Sequence, residues 1–193
     1  GFTSISKNAS TGAITTLSSI SSTGVASFDA NTLSTEAGTG ITGGTGTVYR
    51  SSVQRTGGII TTNILIDLTG LRSTASGDII GVDGTSNVCH IGQITAARNG
   101  TIIAASMECF EAPTGGDPDI NVFSATEGTG TEDDAISGLT ETQLCDSGDL
   151  ALGSNIFFTA FPAADEFLYL VAGATTDADY TAGKLVITLI GTR

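Results

Sequence analysis

The sequence predicts an all-β fold, an antiparallel β-sandwich of jelly-roll or Greek-key type with an extended N-terminal arm, and three observations carry that expectation. Apolar residues recur in short runs broken by Gly, Asn and Asp; no segment keeps a convincing 3.6-residue apolar period; and the first 47 residues hold almost nothing that builds a core. With 26 Gly, 3 Pro, no Trp and only 14% charged residues in 193, the chain covers its surface with Ser and Thr in place of Lys and Glu. Strands joined by short turns without intervening helices favour antiparallel pairing over a parallel sheet.

From Gly1 to Thr47 the chain is nearly all Ser, Thr, Gly and Ala. Such a stretch buries too little apolar surface to offset the backbone entropy of ordering, roughly 1–2 kcal/mol per residue. Residues 1–47 therefore read as an assembly arm that orders on a receiving surface, anchored by Phe2, Ile5, Ile14, Leu17, Ile20, Val25, Phe28 and Leu33.

Residues 48–193 read as the sandwich domain, with strands at Val48–Gln54, Gly58–Leu68, Asp78–Val82, Asn87–Ala97, Thr101–Glu111, Asp119–Ala125, Asn155–Phe161, Glu166–Ala172 and Gly183–Gly191. Between the fourth and fifth, Asn99-Gly100 predicts a type I′ hairpin with Arg98 opposite Thr101. That register puts His90 opposite Cys109 on a core face and Cys89 on the other face. The stretch Asp133–Cys145 has the spacing for one or two helical turns through Ile136, Leu139 and Leu144. The last strand is apolar on both sides apart from Thr188, which places it in the middle of a sheet or beneath a neighbour. The acidic run Glu127–Asp134 reads as a long exposed loop.

The formal net charge is −13, from 20 acidic and 7 basic residues, so the summed field repels phosphate backbones and anionic headgroups. Nucleic acid and membrane are not expected partners. No apolar run approaches the roughly 20 residues of a bilayer-spanning helix, and no basic region followed by an apolar stretch opens the chain. Gly1 is what removal of an initiator Met leaves, and a cleaved leader or other processing leaves the same; Ile5 stands where a myristoylation signal wants Ser or Thr.

Chemistry is sparse. Cys89, Cys109 and Cys145 are an odd number at spacings of no zinc or redox signature, and read as reduced, buried small hydrophobes. A nucleophilic pair of His90 with a neighbouring thiol needs an exposed thiolate, whereas the expected register faces both His90 and Cys109 inward, so His90 reads as a hydrogen-bonded core histidine. Acidic clusters at Asp117/Asp119, Glu132-Asp133-Asp134, Asp146/Asp149 and Asp177/Asp179 lack the EF-hand spacing and read as turn and solubility residues, with weak binding of a hard cation as the alternative. Glycoside hydrolysis wants two acids beside aromatic platforms, yet the chain has three Tyr and no Trp. Gly-rich Gly38–Gly46 lacks the Lys and following helix of a phosphate loop. No catalytic, metal or cofactor role is therefore expected of any residue.

The segment Phe167-Leu168-Tyr169-Leu170-Val171-Ala172-Gly173, followed by Asp179-Tyr180-Thr181-Ala182-Gly183-Lys184-Leu185-Val186-Ile187, resembles the C-terminal end of virion structural proteins of tailed bacteriophages, particularly marine ones. The run from Gly57 to Leu68 and the Asn-Gly turn fit the same resemblance, which spans residues 48–193 and contains no catalytic motif. It implies a β-sandwich decoration, or cement, protein on the capsid exterior, made in the host cytoplasm. Its partners would be the major capsid protein shell and sister subunits, commonly as trimers at local three-fold positions. The alternatives are a tail-fibre or adhesin head domain binding a host surface, and a secreted filament subunit using its arm for strand exchange.

Overall fold

A computed structural model describes Ile5–Lys7, Ile14–Leu17 and residues 35–193. In chain order the strands are β1 (Ile5–Lys7), β2 (Ile14–Leu17), β3 (Val48–Thr56), β4 (Ile59–Asp67), β5 (Arg72–Ser73), β6 (Gly92–Gln93), β7 (Thr101–Thr114), β8 (Ile120–Ala125), β9 (Glu141–Cys145), β10 (Asn155–Phe157), β11 (Phe167–Ala172), β12 (Ala178–Asp179) and β13 (Ala182–Thr192). The all-β class holds, and every strand pairing is antiparallel. One sheet has the order β10-β7-β13-β4-β3, a second the order β6-β11-β8-β9, and β5 with β12 forms a short ribbon.

The two larger sheets face each other across one core. Ile64 and Ile66 of β4, Met107 of β7 and Leu185, Ile187 and Leu189 of β13 share it with Val122 of β8, Leu144 of β9 and Leu168 and Leu170 of β11. Strand β13 lies between β7 and β4, in the middle of its sheet as its composition predicts. The alternation on that sheet is strict: Leu185, Ile187 and Leu189 are buried while Lys184, Val186, Thr188 and Ile190 between them are half-buried.

The expected Asn-Gly hairpin does not form. Residues Ala96–Asn99 close a single helical turn, capped by Thr95 Oγ1 accepting from the Arg98 amide at 3.3 Å. Asn99 turns inward instead of shaping a turn, and Gly100, at φ +73°, lies where a Cβ would stand 2.4 Å from the Thr192 carbonyl. Strand β7 therefore pairs with β13 and β10, and the β6 segment pairs with β11. His90 does not face Cys109. The primed turn is made by Gly57-Gly58, both at positive φ (+57° and +91°), which joins β3 to β4 with Thr56 opposite Ile59.

Two expected strands share one position in the sheet. Along one side of β11, residues Asp78–Gly81 supply Ile79 opposite Val171 and an Ile80 amide donating to the Leu170 carbonyl at 2.9 Å, and β6 continues that side opposite Phe167 and Leu168. Each is short because β11 offers only six residues. The helical reading of Asp133–Cys145 gives way to one 3₁₀ turn, Ile136–Gly138, and the edge strand β9.

The stretch Thr35–Thr47, assigned to the arm by composition, packs on the sandwich. Gly38 and Gly40 amides donate to the His90 and Val88 carbonyls, the Val82 amide donates to Gly40, and Ile41 in the turn Thr39–Thr42 is fully buried. A Cβ at Gly40 would stand 2.3 Å from Cys89 Sγ, so glycine is what allows this approach. Of the arm anchors, Phe2, Ile20, Val25, Phe28 and Leu33 lie outside the described residues. Ile5 pairs with Leu17 and Lys7 with Ile14, so β1 and β2 pair antiparallel with each other.

Candidate functional site

The two outer faces of the sandwich differ, and the difference follows from the chain that crosses them. On the four-stranded sheet, Leu168 to Ala172 of β11 are all buried. The acidic loop expected to be solvated lies across that sheet: Tyr169 Oη donates to the Glu127 carbonyl at 2.8 Å and accepts from the Gly130 amide at 3.3 Å. Gly128 sits where a Cβ would be 2.7 Å from the Phe167 ring, so the loop's glycines let its backbone lie flat on two aromatic rings.

No such cover lies among the described residues over the outer face of the five-stranded sheet. Its rows follow from the pairing: Val186 opposite Leu65 and Glu108, Thr188 opposite Asn63 and Ser106, Ile190 opposite Thr61 and Ala104. Thr188 Oγ1 and Asn63 Oδ1 meet at 3.0 Å across it, and Lys184 sits between Asp67 and Glu111. Burial of Asp67 is outweighed by hydrogen bonds from Thr69 and by Lys184, so its carboxyl titrates below the usual range. Large apolar side chains stand out at the edge of the sheet formed by β10: Phe157 is 75% exposed, Phe110 60% and Leu152, in the turn before β10, 72%. Ile103, Ile59 and Val48 extend exposed apolar surface toward β7, β4 and β3. Ile103 is thrown outward by a bulge, since Gly191 pairs with Ile102 and Ile190 with Ala104.

The second feature is a polar cavity of about 570 Å³ on the covered side, lined by Arg72, Thr74, Asp83, Glu132, Asp133 and Asp177 among others. Arg72 on β5 donates to Asp177 at 2.7 Å and to Asp179 at 2.9 Å, tying β5 to the β12 segment. Glu132 is only 9% exposed, and its Oε1 has no hydrogen-bond partner. Burial first, then Asp133 and Asp83, push its carboxyl up to about 6, while the Gly84 backbone and Arg72 act in the opposite sense.

The sequence-level chemical candidates fall in three places. All three cysteines are free and buried; burial pushes the Cys89 thiol up to about 12 and Cys145 to about 11, and raises Cys109, which holds them as thiols. His90 packs against Phe167 with ring centroids 5.0 Å apart and against Tyr169 at 6.5 Å, and burial lowers its affinity for a proton. Its Nδ1 has no hydrogen-bond partner, so the expectation of a hydrogen-bonded core histidine is corrected to a ring held by aromatic packing.

The acids separate by role. Asp117 is buried and accepts from the Asp119 amide at 3.1 Å and the Ala174 amide at 2.6 Å, while Tyr180 Oη donates to its carbonyl. Burial, then Asp117, Asp146 and Asp149, raise Asp119, so two clusters separate in sequence meet at one corner. Asp134 closes its own turn on Thr131. Among the described residues no three His, Cys, Asp or Glu side chains are grouped to hold a metal ion, and no helix is long and apolar enough to cross a membrane. Sequence reading missed Arg72 and Asp83; Arg72 is one of five Arg in an acidic chain, and nothing local ties it to Asp177, 105 positions away.

Comparison of the chain with protein-family models, with curated proteins and with solved structures finds no match.

Proposed function

We propose that this chain is a non-enzymatic virion structural protein of a tailed bacteriophage, which decorates the capsid exterior and stabilises the shell through contacts with the major capsid protein and with sister subunits, as trimers. The observation that supports it best is the outer face of the five-stranded sheet. It carries Phe157, Phe110, Ile103, Ile59 and Val48, with Leu152 in the turn before β10, at 37–75% exposure, and Phe157, Phe110 and Leu152 lie at the β10 edge of the sheet, where large apolar side chains left in water mark a contact surface. Burying such side chains against a partner is worth roughly 1.5–3 kcal/mol each before the cost of association. The acidic surface argues against nucleic acid, and the buried, protonated thiols offer no nucleophile.

Mixing the protein with undecorated shells and counting bound copies by cryo-electron microscopy tests the proposal. Wild-type protein occupies regular positions, and the double variant Phe110→Glu with Phe157→Glu loses most occupancy while keeping its melting temperature within a few degrees. Absence of wild-type binding to any shell, with binding to a host cell surface instead, would replace the proposal with the adhesin reading.

A further inference from the structure

The chain contains one Asn-Gly pair, Asn99-Gly100, and one Asp-Gly pair, Asp83-Gly84. Both invite the same reaction, in which the glycine nitrogen attacks the carbonyl carbon of the preceding side chain and closes a five-membered imide. Glycine favours it because no Cβ restricts the backbone or crowds the attack. In an unstructured chain the asparagine reacts first, since its neutral amide is a better electrophile than an ionised carboxylate. The fold reverses that order.

Asn99 is fully buried, its Oδ1 accepts from the Thr95 amide at 2.9 Å and its Nδ2 donates to Thr62 Oγ1 at 2.9 Å, so the carbonyl under attack is fixed on both sides. The attacking nitrogen is engaged as well, because the Gly100 amide donates to the Ala96 carbonyl at 3.1 Å. Reaction there waits for the helical turn to open, and only the open fraction reacts. Asp146-Ser147, an Asp followed by another small residue, is restrained in the same way, with the Ser147 amide donating to Asn121 Oδ1 at 2.9 Å. Asp83-Gly84 lacks these restraints. Both residues are exposed in the turn between Val82 and Thr85, Gly84 has a φ of +66°, and open space surrounds the place where its Cβ would stand. The Gly84 amide makes no hydrogen bond to a backbone carbonyl among the described residues; its polar neighbour is the Glu132 carboxylate. The ion pairs of the described residues use Asp67, Glu111, Asp177 and Asp179, which leaves the Asp83 carboxylate free.

We infer that Asp83 is a site of spontaneous isoaspartate formation in the folded protein, and that Asn99 is protected from the corresponding deamidation. The Gly84 nitrogen bonds to Asp83 Cγ and gives its proton to solvent, while the protonated carboxyl loses one oxygen as water. Water then adds back to the imide. Addition at Cγ restores aspartate; addition at the main-chain carbonyl carbon leaves the chain running through Cβ and Cγ, with no change in mass. The product lengthens the main chain by one methylene in a turn that helps to seat residues 38–41, because the Val82 amide donates to the Gly40 carbonyl at 2.8 Å and Thr85 Oγ1 donates to the Val82 carbonyl at 3.1 Å.

The test incubates full-length protein for several weeks at pH 7, folded and in denaturant, and maps two products. Isoaspartate is read by labelling with an isoaspartyl methyltransferase and a radioactive methyl donor, followed by peptide mapping; deamidation is read from the mass of the Asn99 peptide. In the folded protein the label accumulates on the Asp83 peptide and exceeds conversion at Asn99 by roughly tenfold or more, and in denaturant Asn99 converts faster than Asp83. Asp83→Glu, which keeps the charge and would have to close a six-membered ring, loses the label while its melting temperature stays with wild type. An unlabelled Asp83 peptide in folded protein, conversion at Asn99 as fast folded as in denaturant, or a label of undiminished strength in Asp83→Glu would each overturn the inference.

Discussion

Asn99 Nδ2 donates to Thr62 Oγ1 across 2.9 Å with both residues fully buried, and Asn99 Oδ1 accepts from the Thr95 amide at 2.9 Å. The pair pins the helical turn before β7 to the inner face of β4. Removing either member strands the other in a dry site, which costs about 1–3 kcal/mol. Asn99→Ala and Thr62→Val are each expected to lower the denaturant midpoint, and the double variant to lose less than the sum, because the second change removes a group already unpaired. Additive losses would show that the two side chains do not depend on each other.

Chain truncation locates the boundary of the folded body. Ile41 belongs to the core and Gly38 and Gly40 bond to the strand-like segment Val88–His90, so a protein starting at Val48 exposes that segment and is expected to lose cooperative unfolding or several kcal/mol. A protein starting at Thr35 keeps these contacts and its midpoint. Equal stability of the two truncations would return residues 35–47 to the arm.

Glu132 and His90 give stability opposite dependences on pH. The native state holds a proton on Glu132 up to about 6, against an ordinary value of 4.5, so its contribution is whole below about 4.5 and lost as pH rises through about 6. Glu132→Gln removes that loss and is expected to be more stable than wild type at pH 7 by on the order of 2 kcal/mol, with no difference near pH 4. Burial holds His90 below the ordinary 6.5, so its contribution is whole above that value and lost as pH falls. Denaturant midpoints for wild type, Glu132→Gln and His90→Asn across pH 4–8 separate the two; a Glu132→Gln curve parallel to wild type would contradict the burial of that carboxylate.

Thiol accessibility checks the core. Cys89, Cys109 and Cys145 are at most 2% exposed, and folded protein at pH 8 is expected to react with an aromatic disulfide reagent only as fast as it unfolds. In denaturant three thiols react. Rapid labelling of the native state would show the cysteines lie nearer the surface.

Much of the fold was legible because β13, β11 and β4 carry patterns that a single strand position explains: continuous apolar residues where both faces are covered, alternation where one face is open. The register of Asn99-Gly100 was not legible, because a local turn preference of this pair competes with a buried hydrogen bond to Thr62, 37 positions away. Residues Thr35–Thr47 misled for a similar reason. Glycines that look like flexible linker are small enough to lie against Cys89 and Val88, and only the tertiary contact reveals it. The acidic loop looked solvated because composition does not say that Tyr169 and Phe167 stand beneath its glycines. The exposed face could be anticipated only in part, since Val186 and Ile190 are visible in the pattern of β13 while the outward turn of Ile103 depends on a bulge.

Hydrogen–deuterium exchange of the protein free and bound to shells tests the central claim most directly, because it compares the two outer faces in one experiment. The account predicts new protection in β10, in Cys109–Glu111 and at the β3 and β4 ends of the five-stranded sheet. Peptides of β8 and β11 under the acidic loop stay unchanged. Protection confined to β8, β9 and β11, with the five-stranded sheet exchanging as in the free protein, would contradict it.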